Sequence, residues 1–323
     1  MRAPDFWRHG NGGLTGVALA PVGWLYGAAG AIRIATTRPW KAPIPVICIG
    51  NLVVGGAGKT PVALDFGARL LERGRTVHFL SRGYGGSEYG PLRVDPASHG
   101  SDKVGDEPLL LARLAPTWIA ADRRQGCQAA ADAGADIIIM DDGFQNPAVA
   151  KDLSVIVIDG DYGFGNGRIF PAGPLRESVA TGLKRAQGLI LIGGDDGPEL
   201  PHGHPPVLKG RLLGRSESRN LKDKPIIAFA GIGRPEKFFK TLGDIGCDIR
   251  ATHAFADHYP YNAADLERLR RQAENDGAQL VTTEKDAVRL SPEFQRSIVT
   301  VAVTLGWDDE AAINRLLDTV MGK

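Results

Sequence analysis

The chain has 323 residues, 43% of them hydrophobic, and its 38 basic and 37 acidic side chains leave a formal charge of +1. That length and apolar content exclude disorder and fibrous repeats and suit two ordinary domains, while the balanced charge gives no global attraction to nucleic acid, which is not expected as a partner. Three widely spaced cysteines, Cys48, Cys127 and Cys247, argue against a disulfide framework or a zinc site and fit a reducing compartment, the cytoplasm.

Residues 10–32 contain no charged side chain, with Arg2, Arg8 and His9 before them and Arg33, Arg38 and Lys41 after them. Their apolar run, residues 14–32, approaches the about 20 residues that span a bilayer, but Pro21 and several glycines dilute it. It runs too long, and too close to the next strand, for a signal peptide. With Trp24 and Tyr26 inside and bases at both ends, an interfacial helix on an anionic leaflet fits best; a helix packed on the protein itself is the alternative. Residues 1–41 are read as a membrane-associating N-terminal helix.

Residues 45–71 read as strand, glycine loop and helix. Val46, Ile47, Cys48 and Ile49 suit a buried strand, and from Pro61 the apolar residues recur at helical spacing. Between them stands Val53-Val54-Gly55-Gly56-Ala57-Gly58-Lys59-Thr60, with Val53 in the place of the first glycine of G-x-x-x-x-G-K-[ST]. Glycines let backbone N–H groups converge on phosphate oxygens, Lys59 can reach the outer phosphates, and Thr60 can ligate magnesium. A tight turn made of glycines for packing would not require Lys59 beside Thr60.

Residues 76–80 form the next strand, and Arg82 in the following loop is either an anion contact at the carboxyl end of the sheet or a solvated charge. Asp106 and Glu107 precede a proline and an apolar helix. That arrangement serves as an N-terminal cap, yet it also places a carboxylate where a kinase needs one to orient or deprotonate a hydroxyl. Residues 135–140 are a buried strand ending in Asp141 and Asp142, the position from which a phosphate-loop enzyme holds magnesium. After the strand at residues 153–159 a long loop carries Arg168 and Arg176, either of which could clamp phosphate or remain surface charge.

A short strand at residues 189–192 precedes glycine, proline and acids over residues 193–206, which mark a boundary; His202 and His204 are read as linker. Residues 42–205 are then a nucleotide-binding domain and residues 206–323 a second α/β domain, with the last helix able to pack back on the first. The expected fold class is an α/β, P-loop NTPase-like parallel sheet domain with a second, smaller α/β domain and an apolar N-terminal helix. In the second domain Gly231-Ile232-Gly233 is half of a dinucleotide fingerprint, weak by itself. His258 beside Asp257 is the histidine best placed for catalysis, against a reading of capping acid and surface histidine. Glu284, Lys285 and Asp286 again put charges at a strand end.

Together the Val53–Thr60 loop, SRGYGG, VGDEP, DDGFQ, FPAGPLRE, FADHYPY and TTEKDAVRL resemble the tetraacyldisaccharide 4′-kinases of lipid A biosynthesis, through nearly the whole chain. The resemblance implies transfer of phosphate from ATP, with Mg2+, to the 4′-hydroxyl of an acylated glucosamine disaccharide 1-phosphate. It implies action at the cytoplasmic face of the inner membrane, with the chain peripheral or monotopic through its N-terminal helix and the acyl chains left in the bilayer. By motif, Asp106 corresponds to the catalytic base, His258 to the histidine that assists it, and Lys59 and Thr60 to the phosphate and magnesium residues. Glu107, Asp141 and Asp142 correspond to the acidic group around the metal, and Arg176 to an arginine near the transferred phosphate. Tyr259 stands where some members have a second histidine. Asp106 and His258 can then meet only if the second domain closes on the first.

Overall fold

The apolar run of residues 46–49 forms β1 (Val46–Gly50), buried at every position. A computed structural model describes residues 4–8, 10, 12–194, 197–214 and 220–321. Arg2 and His9 of the basic flank, and residues 215–219 of the polar stretch after Val207–Gly214, lie outside the described residues.

The remaining strands are β2 (Val77–Ser81), β3 (Leu92–Arg93), β4 (Thr117–Ile119), β5 (Ile137–Asp141), β6 (Leu153–Asp159), β7 (Gly188–Ile192), β8 (Val207–Gly214), β9 (Pro225–Ala230), β10 (Asp248–Ala254), β11 (Gln279–Thr283), β12 (Val299–Val301) and β13 (Val303–Trp307). Among the described residues they form a nine-stranded sheet, β13-β8-β7-β6-β1-β5-β2-β4-β3, and a four-stranded sheet, β10-β9-β11-β12. The smaller sheet is parallel throughout. In the larger one the pairs β13/β8 and β3/β4 at the two edges are antiparallel and the pairs between them parallel.

β1 is the middle strand of the nine. Successive side chains of a strand point to opposite faces, and both faces here are covered by helices, so an unbroken apolar run is what the position demands. Ile47 and Ile49 join the core under the helix Lys59–Glu72, whereas Val46 and Cys48 join the core on the other face, which includes Cys127 of the helix Arg123–Asp132. The helix after the glycine loop starts at Lys59, so Pro61 sits inside its first turn, where a missing N–H is harmless.

The expected division at 205/206 does not follow the sheets. β8 pairs with β7, and β13 returns to pair with β8, so both complete the larger sheet. Ile313, Leu317 and Val320 of the helix Glu310–Met321 lie in the same core as Ile47 and Phe66. Burying that apolar stripe against the first sheet draws the C-terminus back across the boundary. The second unit is therefore the segment from β9 to β12, with its own cores around Phe238 and Phe229.

The N-terminal helix, Gly13–Thr36, is long and apolar enough to cross a membrane by length and composition, and 6% of its apolar window is buried. It meets the protein through small residues: a Cβ on Gly23 would lie 2.6 Å from the Ile169 carbonyl oxygen, and Gly16 packs beside Arg168 and the Ala172 carbonyl. Tyr26 touches the edge of Phe170, and Leu14, Val17, Trp24, Leu25 and Ile32 are exposed.

Candidate active site

Where β1 ends, the chain turns through the glycine loop at the carboxyl edge of the larger sheet. Gly58 has φ +89°, a left-handed conformation, and the helix it opens has no side-chain cap, so its first N–H groups are left for a ligand. The long loop braces the outer edge of this turn: Val54 N donates to Pro174 O at 2.8 Å and Arg176 N to Leu52 O at 2.7 Å. Within the turn Asn51 Nδ2 donates to Gly55 O at 3.1 Å. Val53 is buried in a bridge with Leu175, Ala57 is buried, and Val54, Gly55 and Gly56 are exposed. The missing glycine is thus accommodated because Val53 faces protein.

β5 lies beside β1 and pairs Ile49 with Asp141, which brings the two acids to the phosphate loop. Thr60 Oγ1 donates to Asp141 Oδ2 at 3.0 Å. Asp142, at φ 52°, accepts from both Nη atoms of Arg176, at 2.9 and 3.2 Å, and lies 3.6 Å from Lys59 Nζ. Burial pushes the Asp141 carboxyl up to about 7, with Asp142 adding to the rise and Lys59 opposing it. For Asp142 burial acts in the same upward sense, but the charges of Lys59 and Arg176 prevail and hold it at about 2.

These residues fit a divalent cation. Asp141 Oδ1 is buried with no hydrogen-bond partner, and the Thr60 hydroxyl stands at the other carboxylate oxygen, a hard oxygen set of the kind magnesium takes together with phosphate and water. Among the described residues no three His, Cys, Asp or Glu side chains converge as a metal-holding group. Asp142 is engaged by Arg176 and Lys59, and Glu107 forms an ion pair with Lys285 at 2.8 Å while its charge still acts on Asp141.

Asp106 opens the helix Asp106–Leu111, after Gly105 at φ +87°. Its carboxylate does not cap that helix. It reaches across to the second unit, where Asp106 Oδ2 lies 2.8 Å from His258 Nδ1 and accepts from Arg289 Nε at 2.7 Å. Asp106 is 4% exposed. Burial pushes its pKa up, and the hydrogen bond from His258 with the charges of Arg289 and Lys285 more than reverses this, so it stays below the ordinary carboxylate value. His258 has φ 57° and packs its ring edge-on against Tyr84, 5.7 Å between centroids.

A second contact joins the units over the phosphate loop. Arg234 Nη2 donates to Gly56 O at 3.1 Å, pairs with Asp159 and lies over the Tyr162 ring. Lys237 Nζ lies 2.7 Å from Asp159 and 2.6 Å from Asp161. Of the remaining candidates, Arg82 is exposed and Arg168 lies against the N-terminal helix instead of joining Arg176. Lys285, Arg289, Arg234 and Asp159 also lie at the contacts between the units, and charges at or after the ends of β11, β9 and β6 are their signal in the sequence.

A glycine loop and lysine after the middle strand, with a carboxylate at the end of the adjacent strand, define the class: a P-loop phosphotransferase. The sequence profile of the tetraacyldisaccharide-1-P 4′-kinase family matches residues 15–322. A tetraacyldisaccharide 4′-kinase of Rhodospirillum centenum is 52% identical over 98% of this chain and 96% of its own. That of Gluconacetobacter diazotrophicus is 53% identical over 100% and 99%. LpxK from Aquifex aeolicus, solved in complex with ATP, superposes with a TM-score of 0.76 at 27% identity, covering 95% of this chain and 99% of its own. The chain belongs to the tetraacyldisaccharide 4′-kinase family.

Proposed function

We propose that this kinase transfers the γ-phosphate of ATP to the 4′-hydroxyl of tetraacyldisaccharide 1-phosphate, the step that gives lipid IVA, with Asp106 as proton acceptor and His258 as its partner. The observation that carries the site assignment is the 2.8 Å contact of His258 Nδ1 with Asp106 Oδ2, made between the two units beside the phosphate loop. Backbone N–H groups of residues 55–60 cradle the phosphates, Lys59 neutralises charge growing on the transferred group, and Arg176, held against Asp142, supplies a guanidinium at the same edge. Thr60 and Asp141 hold magnesium, which when bound offsets phosphate charge. Asp106, kept ionised, accepts the hydroxyl proton as the oxygen bonds to phosphorus and the bond to the ADP oxygen breaks. Arg234 and Lys237 draw the second unit over the loop, which excludes water from the γ-phosphate.

We further assign the helix Gly13–Thr36 to the cytoplasmic face of the inner membrane. Its glycine face is fastened to the loop at Ile169 and Ala172 while its large apolar side chains are exposed, which supports lying in the leaflet over spanning it. The acyl chains then stay in the bilayer while the sugar meets Asp106. Deleting residues 1–34 moves the protein to the soluble fraction; an intact protein whose sedimentation ignores salt and detergent contradicts attachment.

The activity is tested by following labelled γ-phosphate into tetraacyldisaccharide 1-phosphate in detergent micelles, with a lipid-free control. Labelled lipid is expected. Equal phosphate release in both tubes without labelled lipid would reduce the protein to an ATPase.

A further inference from the structure

The turn that follows β11, the single helical turn Glu284–Ala287 leading on to Arg289, lies beside the Asp106–His258 pair. We propose that two residues of this segment are positioning residues for the transfer: Arg289 fixes the Asp106 carboxylate and Lys285 fixes the protonation state of His258. This rests on the reading of Asp106 as proton acceptor.

Arg289 is itself held from several sides. Fully buried Asp286 accepts from Gly231 N at 2.7 Å, Tyr261 OH at 2.7 Å, Thr283 Oγ1 at 2.6 Å and Arg289 Nη1 at 3.0 Å. Nη1 donates to Gly231 O as well, at 2.9 Å. A guanidinium is planar, so pinning Nη1 on two acceptors of the second unit sets the line along which Nε points, and Nε points at Asp106 Oδ2. The Arg289 side chain is 4% exposed, and its Nη2 is buried without a partner. Removing it would leave a buried carboxylate short of a donor.

Lys285 acts on the other end of the imidazole. An ionised carboxylate only accepts, so the proton of neutral His258 sits on Nδ1, facing Asp106. Nε2 is then the acceptor, and Lys285 Nζ donates to it across 3.2 Å. Lys285 is kept as an ammonium by Glu107 at 2.8 Å and Asp257 at 3.6 Å. Those two carboxylates also approach Nε2, at 3.9 and 3.8 Å. Without the lysine they favour a second proton, on Nε2, so that the ring becomes an imidazolium while Nδ1 keeps its proton toward Asp106.

The experiment uses the full chain with MgATP and tetraacyldisaccharide 1-phosphate in micelles. A wild-type enzyme that transfers no phosphate contradicts the kinase reading before any variant is compared. With transfer established, Arg289→Met is expected to lower kcat at least about tenfold, with both KM values within about twofold, and Arg289→Lys to recover part of the loss. Raised KM at unchanged kcat, or no recovery by lysine, would overturn the role of Arg289. Lys285→Met, at a partly exposed site, keeps the proposal testable if the buried arginine variants do not fold. Histidine 15N shifts should show His258 protonated on Nδ1 alone in the wild type and on both ring nitrogens in Lys285→Met at the same pH; the same protonation pattern in both would overturn the role of Lys285.

Discussion

Asp106 and Glu107 are neighbours in sequence with different partners. The first is taken by His258 and Arg289, the second by Lys285. Sequence left Asp106 open between cap and base, and Glu107 was placed near the metal by resemblance. The residues that contact Asp106 lie 152 and 183 residues further along the chain, and local spacing does not encode them. Lys59, Thr60 and Asp141 were legible for the opposite reason. A phosphate loop is local, and the acid at the end of a neighbouring parallel strand is brought to it by sheet geometry alone. Lys59→Ala and Asp106→Ala are each expected to lower turnover at least about a hundredfold, by loss of charge stabilisation and of proton transfer respectively. Steady-state kinetics on folded protein checks both, and near-normal turnover of either variant refutes its role.

The N-terminal helix shows how far an element can be read. Its length, apolar content and flanks are in the sequence, but the face that meets the protein is not, because the glycines that dilute the apolar pattern are the contact surface. Gly23 packs on the Ile169 carbonyl, whereas nothing lies within 4 Å of a Cβ on Gly30. Gly23→Ala therefore forces the helix off the loop and is expected to cost about 1–3 kcal/mol. Gly30→Ala should instead be neutral or stabilising by up to about 1 kcal/mol, through helix propensity. Chemical denaturation of the two variants in detergent distinguishes them, and equal stabilities would contradict the packing. The helix at Asp106 taught a similar lesson: its start was legible, its capping was not, since the acid is spent on another unit.

Across the whole molecule, a parallel sheet domain and a second α/β unit were foreseeable from apolar runs closed by glycine and acids, but the membership of their sheets was not. Composition marks a boundary near residue 205, yet β8 and β13 complete the first sheet, since strand pairing is decided by a free edge and not by local sequence. The outcome is a small unit inserted between two strands of the large one, so both its ends are anchored close together. It touches the phosphate loop through Arg234 and the helix Asp106–Leu111 through His258 and Arg289. Contact between this unit and the first is what brings His258 and Arg289 to Asp106. A double-mutant cycle in kcat with Asp106→Ala, His258→Ala and the double variant tests that claim most directly. If the two act as one pair, the double variant is no slower than Asp106→Ala within about threefold; losses that multiply would contradict it.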